Sequence, residues 1–420
     1  MKSPFLNGKA GAGSARRRLQ QNPSSPPFSL TQLLQPVGLD SFFSGYYERE
    51  ALVIHRDRRG YYDGLLSAQT LDELISGTTL SSEEIIVVDH SRNIQPADYL
   101  REDESVDAVR VHQLFDEGAT ITLRQLQQRV PALAKLCRGV EQQLSCSCQT
   151  NLYFTPANAQ GFETHHDTHD VFILQLAGSK RWQAYEPALR LPLPGQRYYW
   201  KTPPAGPPVS AFTLHPGDLF YCPRGTPHDA QSAQEASVHI SLGANVSTWA
   251  ELMLEILADV ALRDPAFRAS LPPDFASRDI PMQAMDTKLR DLFARLQQQV
   301  RPRHVLGQLA DRFVSEHPSQ LSGQAATLRE AVSLTLESTV GVRPGLIYRL
   351  SERRGKVTLL CNSRQIALPG YAAPALRLAL TSQSFRIREL PGSLTDAGKI
   401  VLVRRLMQEG AIVSVTKEGG

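Results

Sequence analysis

The sequence predicts an α+β protein: an antiparallel β sandwich or barrel set between helical flanks, with a small mixed module at its C-terminal end. Three observations predict it. Between residues 146 and 244 the chain breaks into short β segments separated by Gly- and Pro-bearing turns, the pattern of an all-β sandwich or barrel. On either side, apolar residues recur at helical spacing. From residue 336 onward strands and helices mix, in an order that fits a winged-helix module.

The elements follow in order. Residues 1–30 carry five basic residues and no acids, and are expected to form a disordered basic tail. "SLTQLLQPVGLDSFFSGYYEREALVIHRD" reads as short helices followed by a strand at Ala51–His55. "TLDELISG" carries a helix start with Thr70 as the N-cap, an acid in the first turn and a closing Gly. "TLRQLQQRVPALAKLCRGVEQQL" has helical periodicity that Pro131 is expected to break. The β region supplies "CQTNLYFTP", "DVFILQLAG", "KRWQAYEP", "AFTLHPGDLFYCP" and "SVHISLGA". Within it, "LPLPGQRYYWKTPPAGPPVS" is a long Pro-rich loop of the kind that lids or frames a site. From Thr248 the period is helical again: Trp249, Leu252, Met253, Ile256 and Val260 share one face. Leu289, Leu292, Phe293 and Leu296 share another, and such stripes serve a core or a subunit interface. The last segment offers strands "KVTLLC" and "RQIALP", helices "APALRLALTS" and "DAGKIVLVRRLMQEG", and a final strand "AIVSV". No internal repeat is visible. The expected divisions are a tail (1–30), a β-rich domain (31–246), a helical segment (247–335) and a winged-helix-like domain (336–420).

Composition narrows the setting. At 420 residues, 41% hydrophobic and 21% charged, the chain has the make-up of a soluble globular protein with a real core. No apolar run has the length to cross a bilayer, and the N-terminus lacks the apolar core of a secretory signal. Five cysteines without framework spacing suit a reducing, cytoplasmic location. Cys146 and Cys148, in "SCSC", have the spacing of a metal pair, but no second Cys/His pair accompanies them, and small buried strand residues are the better account. The net charge of +3 conceals an acidic body between basic ends. Residues 341–420 carry thirteen basic and five acidic residues. Basic ends suit an RNA, ribosome or DNA partner as readily as a solvated surface.

The chemistry concentrates in "GFETHHDTHDVFILQLAGSKRW", residues 161–182. Side chains two apart on a strand share a face, so His165 and Asp167 project together and His166 points the other way. A His-x-Asp pair on one face supplies two members of a 2-His-1-carboxylate triad. The third is expected from His228, which follows "LHPGDLFYCPRGTP" near a later strand end. Three ligands leave positions open for a co-substrate and oxygen, the arrangement of non-heme Fe(II) oxygenases. In "KRWQAY", Lys180 alternates in phase with Trp182 and Ala184 and so points inward. A buried ammonium without a partner is costly, and a bound dicarboxylate relieves that cost. 2-Oxoglutarate fits, with its 2-oxo acid end on the metal and its distal carboxylate on Lys180. The plainer account is a lysine snorkelling to solvent. A second His-x-Asp, His55 and Asp57 in "VIHRDRRG", lies in basic, loop-like surroundings and reads as a surface strand end.

"TNLYFTPANAQGFETHHDTHDVFILQLAGSKRWQAY" followed by "LHPGDLFYCPRGTPHDAQ" resembles the cupin-fold JmjC oxygenases of the ribosomal-oxygenase type, and the likeness spans about residues 35–415. The resemblance implies a double-stranded β-helix (jelly-roll) catalytic domain, with His165, Asp167 and His228 on Fe(II) and Lys180 on 2-oxoglutarate. It also implies Asn151, Tyr153 and Ser241 as further co-substrate contacts. The helical segment is similar to that family's dimerisation segment, which implies a homodimer. Members hydroxylate His or Arg side chains of ribosomal proteins, and some relatives have been assigned histone-lysine demethylation. The chain departs from the pattern at His166 and His169, both expected to be structural rather than ligating, and its C-terminal module is loosely matched. Three rival readings stay open. One is the same chemistry on a small molecule or biosynthetic peptide. Another is a metal-dependent cupin without 2-oxoglutarate, which leaves Lys180 unexplained. The third is a non-catalytic protein binding nucleic acid through its winged helix, with steep salt dependence.

Overall fold

The computed structural model describes residues 29–77, 80–198, 206–273, 275–276, 281–317 and 320–415. Most of the expected basic tail, and residues 199–205 of the Pro-rich loop, lie outside them. The chain divides into two compact units, Met1–Val246 and Ser247–Gly420.

The first unit is a two-sheet sandwich. Its strands are β1 (Leu52–Ile54), β2 (Ile85–Val88), β3 (Thr120–Leu123), β4 (Ser147–Thr155), β5 (Asp170–Ala177), β6 (Lys180–Tyr185), β7 (Pro208–Leu214), β8 (Leu219–Cys222), β9 (His228–Ser232) and β10 (Ser237–Asn245). The larger sheet runs β1-β8-β5-β10-β4-β3-β2, the smaller β7-β6-β9, and every pairing is antiparallel. The helices are α1 (Leu30–Leu33), α2 (Leu39–Gly45), α3 (Ala68–Asp72), α4 (Ala108–Asp116) and α5 (Pro131–Leu144).

Strand parity sorts the side chains into two cores. Leu152, Phe172, Leu174, Leu219, Tyr221, Ile240 and Leu242 share one cluster with helix residues such as Phe42, Leu133 and Leu136. The alternate residues Val171, Ile173, Phe220 and Cys222 meet Trp182, Ala184 and Leu214 of the smaller sheet. The central strand β5 is covered on both faces, which explains its nearly unbroken apolar run. The cavity described below opens in the second, inter-sheet layer.

Several sequence expectations need correction. Pro131 does not break a helix; it occupies the first turn of α5, where its missing N–H has no partner to lose. The residues before it form β3, which pairs with β2 and β4, and a 3-10 turn at Leu126–Gln128. β-Branched Thr120, Ile121 and Thr122 favour the strand. Ser67, not Thr70, caps α3: its Oγ accepts from the Thr70 N–H at 3.0 Å. "AFTLHPGDLFYCP" is two strands in different sheets, β7 and β8. The corner between them passes through Gly217 at φ +97, where a Cβ would strike the Arg58 carbonyl.

The second unit contains α6 (Trp249–Arg263), α7 (Met282–Gln299), α8 (Pro302–Glu316), α9 (Gln324–Glu330), α10 (Ala373–Thr381) and α11 (Asp396–Gln408). Its strands are β11 (Thr339–Val342), β12 (Tyr348–Arg353), β13 (Lys356–Cys361), β14 (Arg364–Pro369), β15 (Phe385–Arg386) and β16 (Ile412–Ser414), in sheets ordered β15-β11-β16 and β12-β13-β14. A Thr248–Glu251 capping box starts α6. Leu252, Ile256 and Val305 form a small core with Leu296. The stripe expected on α6 is only partly buried, because Trp249 and Met253 are 82% and 53% exposed. Leu289 and Phe293 of α7 are exposed as well. Arg349 on β12 donates to the Gly307 carbonyl and to Asp311, which ties the strands to α8. Among the described residues no helix is long and apolar enough to cross a membrane. Cys146 and Cys148 are buried, with their sulfurs 3.6 Å apart.

Candidate metal centre

Two backbone hydrogen bonds bring the ends of the His-x-Asp segment and β9 together. The His165 N–H donates to the His228 carbonyl at 3.1 Å, and the His228 N–H returns to the His165 carbonyl at 2.8 Å. His165 therefore sits at an isolated bridge and Asp167 in a loop before β5. The expected strand is absent there. The two residues still converge because the bridge and a bond from the Gly225 N–H to the Asp167 carbonyl, 2.9 Å, pin the loop. One ligand atom each from His165, Asp167 and His228 falls in a group spanning no more than 4.8 Å.

The ring orientations suit ligation. His165 Nδ1 lies 2.8 Å from the Glu163 carbonyl, and His228 Nδ1 lies 3.0 Å from the Thr226 carbonyl. A carbonyl only accepts, so both Nδ1 atoms carry a hydrogen and the Nε2 atoms are the ones turned to ligation. His228 Nε2 is 3.8 Å from Asp167 Oδ2. Burial, then the neighbouring His165, pushes the His228 imidazolium down to about 4. Burial pushes the Asp167 carboxyl up, but His228, His165 and their neighbours outweigh it and hold it below the usual carboxylate range. Two imidazoles and one carboxylate are the donor set of a facial triad.

A cavity lies beside this cluster, walled by Thr120, Trp182 and Ala230 among others. Lys180 is 4% exposed at its far wall, and its Nζ donates to Thr155 Oγ1 at 3.1 Å. No carboxylate among the described residues pairs with it. Burial alone pushes the ammonium down to about 7. Lys180 thus lies inward with Trp182 and Ala184, and does not snorkel. Tyr153 and Ser241 also line the cavity. Asn151 does not; its Oδ1 accepts from the Gln125 N–H at 3.1 Å, and its side chain bonds the Tyr153 hydroxyl.

The remaining histidines separate clearly. His166 points away from the cluster but is buried, not solvent-facing: its Nε2 meets the Gln196 carbonyl at 3.2 Å and its ring packs on Tyr198. It anchors the start of the Pro-rich loop. The ring of His169 fills the space over Gly243, 2.6 Å from where a Cβ would stand. His55 is held by Asp218 at 2.8 Å, which raises its pKa, and lies away from the cavity.

Sequence reasoning missed two cavity residues. His239, two positions before Ser241 on β10, stacks on Tyr153 at 4.6 Å and 2°. Strand parity with Ser241 is the signal that would have found it. Asp229 follows His228 and accepts from Thr164 Oγ1 and the Tyr185 hydroxyl, each at 2.6 Å. A second, wider groove lined by residues 88–94 and Glu163 shares the wall at Gly161 and Phe162.

Comparison with known proteins gives three kinds of likeness. Residues 122–252 match the family model described as "JmjC domain". The chain is 31% identical over 262 residues to ribosomal oxygenase 2 of Bos taurus, covering 60% of this chain and 56% of that protein. It is 30% identical to the bifunctional lysine-specific demethylase and histidyl-hydroxylase NO66 of Dictyostelium discoideum, covering 59% and 49%. The chain thus spans about half the length of these relatives. A solved structure of YcfD, a ribosomal oxygenase from Escherichia coli in complex with cobalt and 2-oxoglutarate, superposes with a TM-score of 0.51 at 20% identity. That match covers 90% of this chain and 98% of the other, and carries the fold.

Proposed function

We propose, from the JmjC domain that this chain contains at residues 122–252, that the protein is an Fe(II)- and 2-oxoglutarate-dependent oxygenase. It hydroxylates an amino-acid side chain of a protein, with a His or Arg of a ribosomal protein as the favoured substrate. The observation that carries the reading is Lys180, a buried ammonium without an acidic partner, in the same cavity as two histidines and an aspartate. A metal-dependent cupin without 2-oxoglutarate has no use for that lysine. The relatives named ribosomal oxygenase and histidyl-hydroxylase support protein hydroxylation, and the YcfD complex supports the pairing of metal with 2-oxoglutarate.

In this reading His165, Asp167 and His228 hold the metal, and the Nδ1 bonds of the two histidines to backbone carbonyls fix their rings. Lys180 orients the distal carboxylate and neutralises it, with Tyr153 and Ser241 beside it; Asn151 acts through Tyr153. Fe(II) with 2-oxoglutarate and dioxygen supplies the oxidising chemistry, leaving succinate and carbon dioxide. Trp182, Val171 and Ile173 exclude water from the inner wall. The groove along residues 88–94 admits the substrate segment. The apolar residues exposed on α6 and α7 pair two copies of the chain, and the winged-helix-like strands and helices after residue 336, with the basic ends, give a weak ribosome or nucleic-acid contact in the cytoplasm.

The test is direct. Protein reconstituted with Fe(II), ascorbate and 2-oxoglutarate forms succinate slowly without substrate, and His165→Ala or Asp167→Ala abolishes it. Mass spectrometry of ribosomal proteins from cells with and without the gene then shows one added oxygen on the target. Failure of 2-oxoglutarate to bind the anaerobic Fe(II) protein would sink the assignment.

A further inference from the structure

His239 is a buried imidazole without an assigned task. It is 2% exposed and lines the cavity, and no hydrogen bond reaches its Nδ1 among the described residues. Buried polar atoms are rarely left so. Its ring is held in place on two sides: flat against Tyr153 at 4.6 Å, and edge-on to Trp182 at 5.4 Å. Lys180 reaches the same space, with its Nζ 5.9 Å from the Trp182 ring. An unpartnered imidazole nitrogen and an ammonium whose one hydrogen bond goes to a neutral hydroxyl therefore share the far end of the cavity from opposite sheets, β10 and β6.

We propose that His239 and Lys180 together form an anion-holding end of the cavity, in which His239 donates a hydrogen bond to the distal carboxylate and Lys180 faces it from the opposite sheet. This rests on the 2-oxoglutarate reading above and deepens it. The charge balance explains the division of labour. Burial, with Lys180 and His228 nearby, keeps His239 neutral, so the pocket holds one extra proton at most, and Lys180 is the stronger base. The titratable groups facing this end are Tyr153 on β4, His228 and Asp229 on β9, and His165 with Asp167 across the cavity. Tyr153 is held protonated by burial, and a bound metal occupies the triad. Only Lys180 is left to change charge.

The experiment is calorimetric titration of 2-oxoglutarate into the Mn(II)-loaded full chain, without dioxygen, in buffers of different ionisation enthalpy. Uptake of about one proton per ligand is expected at pH 8.5 and about none at pH 5.5, because free Lys180 titrates near 7. 2-Oxobutyrate, which keeps the chelating end but lacks the distal carboxylate, binds without uptake. His239→Phe preserves the stack on Tyr153 and loses affinity for 2-oxoglutarate about tenfold or more, the scale of one hydrogen bond to a charged group. His239→Asn, which retains a donor near Nδ1, stays within a few-fold of wild type. Wild-type binding with no proton uptake, equal uptake with 2-oxobutyrate, or unchanged affinity in His239→Phe overturns the proposal. Should His239→Phe fail to fold, His239→Leu tested the same way decides, with affinity for 2-oxoglutarate lost and affinity for 2-oxobutyrate kept. Absence of any 2-oxoglutarate binding by the wild type would instead fault the underlying oxygenase reading.

Discussion

Lys180 carries a stability penalty whenever its cavity lacks an anion. Its ammonium is pushed from 10.5 down to about 7 by burial, so between these values the unfolded chain binds the proton and the folded chain does not. Folded-state stability then rises as pH climbs from about 7 to about 10.5 and is flat below. Lys180→Met removes that dependence. The variant, without ligand at pH 7, is expected to be more stable than wild type by on the order of a few kcal/mol, while its use of 2-oxoglutarate falls at least about tenfold. Denaturant midpoints across pH, set against KM for 2-oxoglutarate, check both halves; a variant less stable than wild type at pH 7 contradicts the account. The inward direction of Lys180 was legible from its alternation with Trp182 and Ala184. That His166 is buried was not, because its cover comes from Gln196 and Tyr198, thirty residues away in the chain.

At the scale of elements, the metal cluster depends on how β5 and β8 are joined. Asp170 opens β5 with 0% exposure and receives the Tyr221 hydroxyl, the Arg224 N–H and the Arg224 guanidinium. Arg224 also reaches Glu48, before β1. The network holds the turn whose Gly225 N–H grips Asp167. Asp170→Ala leaves the Arg224 charge buried with only Glu48, and is expected to cost about 3–5 kcal/mol and to weaken metal binding although Asp170 is no ligand. Chemical unfolding and Mn(II) titration measure the two effects. Phe172→Ala, in the core on the face of β5 turned away from the cavity, should destabilise by about 3–5 kcal/mol and leave metal affinity unchanged. Local pattern was enough for β4, β5, β6 and β10. It misjudged the segment before Pro131, because pairing with β2 and β4 decides that β3 is a strand. In the run through Gly217 the Gly-Asp turn before an apolar strand was legible, but not that the strands on its two sides enter different sheets.

For the molecule as a whole, the exposed face of α6 and α7 bears on assembly. Trp249 is 82% exposed and Phe293 66% exposed, with Met253 and Leu289 also uncovered. Trp249→Asp combined with Phe293→Asp is expected to convert a dimer to a monomer in sedimentation, and to remove any dependence of the unfolding midpoint on protein concentration. A wild-type monomer contradicts the pairing. The sequence by itself determined the alternation of each strand, the spacing of His165, Asp167 and His228, and the inward lysine, since period and residue type are local properties. Tertiary structure alone decided that a bridge and a loop, not a strand, present the His-x-Asp pair. It alone placed Asn151 behind Tyr153 and set His239 opposite Lys180. Those outcomes depend on which sheet face meets which across the sandwich, and that follows from burial of side chains far apart in the chain.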